Sequence, residues 1–178
     1  VEAQAFAAGL DAHVVLDAAP FAALPLRALR LKAGALDPAA FVDGAPRAAL
    51  SLEAELAAAA DGSSLLAGPI RVVNRKPETA DAGGIPLVAL SARLDWKADS
   101  IGVEALDFRL SGDGHISGRM TWIPPLPDKA RDDAGGSAGS DIGQLLAALE
   151  LAGIDTHALD ARLPRQALAG RIDAEADA

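Results

Sequence analysis

Side chains able to do chemistry are few in this chain, and they are scattered. Gly135, Ser137 and Gly139 match the G-x-S-x-G spacing of a nucleophile elbow, in which a strained strand-to-helix turn presents the serine hydroxyl to an acyl substrate. Here the motif sits in a run of Gly, Asp, Ala and Ser, with no strand pattern before it and no helix pattern after it, so a catalytic serine is not expected. His13, His115 and His157 have no second ligand at metal spacing, although Asp155 stands just before His157,. They read as exposed strand or turn histidines. Glu53 with Glu55, and Asp173 with Glu175, are spaced so that on a strand both carboxylates share one face,. Such a pair can hold a cation, but it reads here as a solvated outer face. Arg71, Arg75 and Lys76 are too small a cluster for phosphate recognition, and Glu78 and Asp81 offset it. No catalytic residue, metal site or cofactor is expected, and the chain reads as a protein without enzymatic activity.

The chemistry-bearing side chains are sparse because the chain is built from alternating segments. Val88, Leu90, Ala92, Leu94 and Trp96 occupy one parity, with Ala89, Ser91, Arg93, Asp95 and Lys97 on the other. A period of two sends successive side chains to opposite faces of a strand, giving one oily and one wet face. Leu10, Ala12, Val14 and Leu16 repeat the pattern, as do Leu50, Leu52, Ala54 and Leu56, and then Leu66, Gly68, Ile70 and Val72. Alanine favours helix, but a helix with these spacings would spread its leucines around the cylinder. Leu106, Phe108 and Leu110 lead into Ser111-Gly112-Asp113-Gly114, and Ile116, Gly118, Met120 and Trp122 lead out. Asp-Gly between alternating runs predicts a hairpin. Ile101, Val103 and Ala105 lie on the opposite parity, which requires a bulge or bend near Ala105 and Leu106.

A constant offset superposes two further segments. Asp37, Ala40, Pro46, Arg47, Ala49 and Leu50 fall on Asp155, Ala158, Pro164, Arg165, Ala167 and Leu168. Each copy reads as a strand, a short Asp-led helical turn and another strand, with Asp37 and Asp155 as natural N-caps and Pro38 at the first helical position. Repetition of such a unit describes a sheet grown by addition. Residues 124 to 140 are dominated by Pro, Gly and charge without periodicity, and read as a flexible surface loop.

Composition sets the remaining limits. The 178 residues fit a single domain,. Apolar residues make up 51%, yet aromatics only 3%, with no tyrosine, so much of the apolar content is alanine, which fills a closed interior poorly. Sixteen Lys and Arg against 25 Asp and Glu give a net charge of -9, which argues against nucleic acid, whose affinity rests on cations neutralising phosphates. Absence of cysteine excludes a disulfide framework and a thiolate metal site,. No apolar run approaches the roughly 20 residues of a spanning helix. Residues 1 to 8 read as the middle of a folded region, which implies a piece of a longer chain whose targeting or anchoring segment lies elsewhere.

Gly68-Pro69-Ile70-Arg71-Val72-Val73-Asn74-Arg75-Lys76-Pro77, then Asp81, Ile85-Pro86-Leu87 and Gly112-Asp113-Gly114-His115-Ile116-Ser117-Gly118, resemble the TamB family, the inner-membrane-anchored subunit of the bacterial translocation and assembly module. Leu36-Asp37-Pro38-Ala39-Ala40-Phe41 resembles the repeats of the same family. The likeness extends over essentially the whole chain and is most specific from residue 68 to 122. Glu78 departs from it, since the family usually has glycine after the proline, and a different turn is implied there. The family is similar to AsmA-like and bridge-like lipid transfer proteins. The resemblance implies a mostly β, elongated, curved antiparallel-type sheet, a β-taco, folded lengthwise around an apolar groove with short helical turns between repeats. It also implies a periplasmic segment of an inner-membrane-anchored protein, phospholipid acyl chains as cargo, and a TamA-like outer-membrane barrel as partner.

Under that expectation the groove is lined by Leu50, Leu52, Leu56, Ile70, Val72, Val88, Leu90, Leu94, Trp96, Leu106, Phe108, Leu110, Ile116, Met120 and Trp122. Three alternatives stand beside it. The same residues can form the core of a closed sandwich, where an oily strand face usually belongs. A chaperone-like module would pair its sheet edge with nascent outer-membrane strands by β-augmentation. A secreted β-solenoid or adhesin-like scaffold would have a dry interior.

Overall fold

Alternation is realised as strand throughout. The computed structural model describes residues 2–7, 10–18, 26–125 and 143–177. Its strands are β1 (Glu2–Ala7), β2 (Leu10–Ala18), β3 (Leu26–Leu36), β4 (Leu50–Ala57), β5 (Leu66–Asn74), β6 (Leu87–Trp96), β7 (Ile101–Leu110), β8 (His115–Ile123), β9 (Gln144–Asp155) and β10 (Ala167–Asp177). They form one ten-stranded sheet in sequence order, each strand antiparallel to the next. Among the described residues nothing joins β1 to β10, so the sheet is open, with those two strands as its edges.

Substantial packing among the described elements runs between sheet neighbours, and no second layer is laid on the sheet. Beyond neighbouring strands, the turn at Ser111–Asp113 lies against β9, and β3 and β5 approach to within 8 Å at their Cα atoms, whereas strands two places apart in a flat sheet stand roughly 9.5 Å apart. The sheet is therefore pinched at β4. No described side chain is completely buried, and the most enclosed apolar ones are Leu66 at 3%, Ile154 at 4% and Leu56 at 6% exposure. A closed sandwich would seal its large side chains between two layers. That alternative is not what the chain forms.

The meander places the β3–β4, β5–β6, β7–β8 and β9–β10 connections at the same end of the sheet, and each carries a short helical turn. These turns are Pro38–Ala40, Ala80–Ala82, Ser111–Asp113 and the α-helix α1, Thr156–Leu159. The two repeat copies are structurally equivalent connections. Asp37 caps the first turn by accepting from the Ala39 N–H at 3.2 Å, and Asp155 caps α1 by accepting from the His157 N–H at 3.0 Å. In the β7–β8 hairpin the left-handed residues are Gly112 and Asp113, at φ 74° and 64°, so the turn sits one position earlier than the Asp-Gly pair predicts. The bulge between the two parities of β7 falls at Ala105, φ 49°, where the register with β8 shifts between Val103 and Leu106.

Apart from Pro124 and Pro125, the loop expected from 124 to 140 lies outside the described residues, as does the Gly135–Ser137–Gly139 motif. No helix among the described residues is long and apolar enough to cross a membrane.

Candidate functional site

Register turns the alternation of single strands into two continuous surfaces. On one face a row crosses nine strands as Ala12, Ala33, Leu52, Val72, Leu90, Phe108, Ile116, Leu151 and Gly170, each opposite the next. A second row runs Gly68, Leu94, Val103, Met120, Ala147 and Ala174. A third runs Leu66, Trp96, Ile101, Trp122, Leu145 and Ala176. None of these positions is charged. One residue along, the opposite face reads His13, Lys32, Glu53, Arg71, Ser91, Asp107, Ser117, Glu150 and Arg171. Cation and carboxylate alternate across much of that row, which favours pairing of directly opposed side chains.

Fourteen of the fifteen groove candidates share the apolar face. Leu50, Leu52 and Leu56 come from β4, Ile70 and Val72 from β5, Leu90, Leu94 and Trp96 from β6, Leu106, Phe108 and Leu110 from β7, and Ile116, Met120 and Trp122 from β8. Val88 differs. The β6–β7 register shifts between Leu87 and Ala89, so that Leu87, 8% exposed, stands opposite Leu110. Val88 is the additional residue of that bulge, 36% exposed, and lines a depression with Asp107, Arg109 and His115. A bulge inserts one residue and so reverses the parity expected from simple alternation.

Leu29, Leu31 and Leu36 of β3, Leu66 of β5, Ile101 and Val103 of β7, and Leu145, Leu149 and Leu151 of β9 lie on the same face and were not among the expected lining. For β3 the signal is present, because Leu29, Leu31 and Ala33 alternate with Arg30 and Lys32. In β9 the composition hides it. Leu145-Leu146-Ala147-Ala148-Leu149 is a run of strong helix formers,, held extended by pairing with β8 and β10 on both sides.

Most of the apolar face is neither sealed nor freely exposed: Leu52, Ile70, Val72, Leu90, Leu94, Phe108, Ile116 and Met120 are all half-buried. Trp96 and Trp122, both beside Ile101, are 43% and 38% exposed. These side chains shield one another laterally, and no described element covers them from above.

Two well-defined hollows lie on the polar face. One of about 590 Å³ is lined by His13, Arg30, Lys32, Glu53, Glu55 and Arg71. Another of about 570 Å³ is lined by Glu104, Arg119, Thr121, Asp173 and Glu175 among others. Both mix the two signs of charge: in the first Lys32 Nζ lies 3.7 Å from Glu53, and in the second Arg119 stands among Glu104, Asp173 and Glu175. Arg171 Nε, on the same strand as Asp173, lies 2.8 Å from its carboxylate. The carboxylate pairs seen in the sequence are thus interleaved with cations. His115 Nε2 lies 3.5 Å from Asp107, and His157 Nδ1 lies 3.0 Å from the Leu163 carbonyl oxygen. Among the described residues no cluster of His, Cys, Asp and Glu could hold a metal ion.

Hydrogen bonds tie the helical-turn connections into a band along one end of the sheet. The Arg47 N–H donates to the Gly83 carbonyl at 2.8 Å, and its Nη2 to the Ala82 carbonyl at 3.0 Å. Asp81 accepts from the Ala161 N–H at 2.8 Å, linking the β5–β6 connection to the β9–β10 connection. This bond and the Thr79 side chain hold the Asp81 carboxyl below the usual range. Beside Ala161, hydrogen bonds from the Arg162 side chain and backbone lower Asp160 to about 2. Asn74, 3% exposed, anchors the band from within. Its Oδ1 accepts from the Ala49 and Lys76 N–H groups and its Nδ2 donates to the Ile85 carbonyl, each at 3.1 Å. Truncating it removes three hydrogen bonds to half-buried or exposed backbone groups on two connections and leaves a small cavity, so Asn74→Ala is expected to lower stability by about 1 to 2 kcal/mol,. Urea melts followed by circular dichroism read that loss directly.

Comparison of the chain with protein-family models, with characterised proteins and with solved structures returns no match.

Proposed function

We propose that this chain shields phospholipid acyl chains on its apolar face, as one section of a periplasm-spanning conduit between the inner and outer membranes. The observation that carries the reading is an apolar surface free of charge along one row of nine strands and two rows of six, and covered by no described element. Moving an acyl chain through water exposes methylenes at about 0.8 kcal/mol each, so a typical chain faces a barrier on the order of 10 kcal/mol. A continuous apolar trough removes most of that cost and needs no catalytic group.

Curvature into a groove is part of the proposal. The pinch at β4 supports it, as do Ala33, Ala54 and Gly68 at adjacent positions of the apolar face, because the inside of a bend has room only for small side chains. The resemblance to the TamB family supplies the setting: an anchor in the inner membrane, a TamA-like outer-membrane barrel as partner, and a link to outer-membrane protein assembly and secretion. A second reading is chaperone-like pairing of a sheet edge with nascent outer-membrane strands.

Photo-crosslinking in cells separates the two. Probes at positions 94 and 108 are expected to yield lipid adducts, while a probe at Ser91, on the opposite face of the same strand as Leu94, yields none. Protein adducts without lipid from positions 94 and 108 would overturn the lipid reading.

A further inference from the structure

We propose that Trp96 and Trp122 form the rim at which a phospholipid held on the apolar face leaves it, with the indole rings level with the glycerol esters and the headgroup in water beside the β6–β7 connection. This rests on the acyl-chain reading of that face and adds a direction across the trough. The only two tryptophans of the chain stand at the same end of the sheet, Trp96 as the last residue of β6 and Trp122 as the next to last of β8, on either side of Ile101. Both strands are paired on both sides, so the 43% and 38% exposure of the two residues does not come from a free edge. A Cβ built on Gly143, just before β9, would stand 2.9 Å from Trp122 Nε1, so the N–H side of that ring lies out toward the strand ends. No hydrogen bond among the described residues takes up either indole N–H.

An indole joins an apolar body to a polar N–H and settles where hydrocarbon meets a hydrated polar layer. A phosphate headgroup cannot follow its acyl chains into an uncharged trough, because a buried unpaired charge loses its hydration, so it leaves at one end of the strands. The two ends differ. At one, Arg47 and Asp81 tie the connections together, and Leu87 and Ile154 beside them are 8% and 4% exposed. At the other, beyond the tryptophan row, the β6–β7 connection is Lys97-Ala98-Asp99-Ser100, polar and mostly exposed. Length fits the same direction. β7 has 10 residues, about 34 Å at the rise of a strand, whereas an acyl chain spans about 15 Å, half the hydrocarbon core of a bilayer. A chain entering at Trp96 and Trp122 passes Leu94, Val103 and Met120 and ends near Leu106, short of the connections.

Emission from the two native tryptophans tests this in the unaltered chain. Loaded with phosphatidylcholine brominated near the ester end of its acyl chains, the protein is expected to lose about twice as much emission as with phosphatidylcholine brominated near the methyl end. Solvent extraction and mass spectrometry of each sample establish that lipid content is equal. Trp96→Phe and Trp122→Phe each leave one ring at the rim and are expected to keep the preference, and its loss in either variant overturns the assignment of both rings to one rim. With Trp96→Phe, Trp122→Phe and Phe108→Trp combined, the one indole lies toward the connections, and the order is expected to reverse. Lipid present with equal quenching, stronger quenching from the methyl end, or none in the unaltered chain overturns the rim and leaves the acyl-chain reading in place. No lipid in any sample overturns both.

Discussion

Under the lipid-shielding proposal, Leu94→Asp and Phe108→Asp are expected to reduce co-purifying phospholipid at least tenfold, while the protein stays folded. Leu94 lies between Gly68 and Val103, and Phe108 between Leu90 and Ile116, each within an uncharged row. A carboxylate there must either lose its hydration against an acyl chain or hold water in the trough, and an unpaired buried charge costs several kcal/mol. Retention of fold is the discriminating half of the result. In a sealed core the same substitution would unfold the chain, but Leu94 and Phe108 are only half-buried, so in the empty protein the carboxylate stays hydrated. Ser91→Asp, on the polar face, is the matched control and should leave lipid content unchanged. Extraction with organic solvent followed by mass spectrometry supplies the readout. Lipid retained in both variants, or both variants unfolded, would contradict an open lipid-bearing face.

Gly68→Ala and Gly118→Ala are expected to be the most destabilising single-methyl changes in the sheet. A Cβ on Gly68 would stand 1.9 Å from the Glu55 carbonyl oxygen, and one on Gly118 would stand 2.1 Å from the Ala148 carbonyl oxygen. Both obstacles are backbone of the neighbouring strand, so no rotamer change relieves them, and the ladder itself must part. A loss of about 3 kcal/mol each is expected, a fall of roughly 10 °C in melting temperature for a chain of this size. Gly34→Ala and Gly170→Ala meet nothing within 4 Å and serve as near-neutral controls. Gly68 lies opposite Leu94, and Gly118 lies opposite Leu106 and Leu149. At both glycines the place a Cβ would take falls on the backbone of the neighbouring strand. Differential scanning calorimetry measures the shift, and a melting temperature unchanged in Gly68→Ala would mean that β4 and β5 can separate without penalty.

The two predictions rest on different layers of information. Leu94 and Phe108 are legible in the sequence, because alternation is a local property: the pleat sends every second side chain to the same side whatever the strand pairs with. The caps at Asp37 and Asp155 are local for the same reason, since each carboxylate accepts from an N–H two residues on. The demand for a bulge at Ala105 also follows from the clash between two parities within one strand. Gly68 is a different case. Its sequence neighbours say nothing of the Glu55 carbonyl, which reaches it only through the β4–β5 pairing.

Chain alternation alone therefore determined that this protein is built of two-faced strands joined by capped turns, with leucine, phenylalanine and tryptophan gathered on one side. Tertiary structure decided which strands adjoin, where an added residue sets Leu87 rather than Val88 opposite Leu110, and that a helix-forming run becomes β9. It also decided that no described layer covers the apolar face. Pleating acts between adjacent residues, whereas register, coverage and edges depend on hydrogen bonds between segments far apart in the chain, and no local pattern encodes their partners.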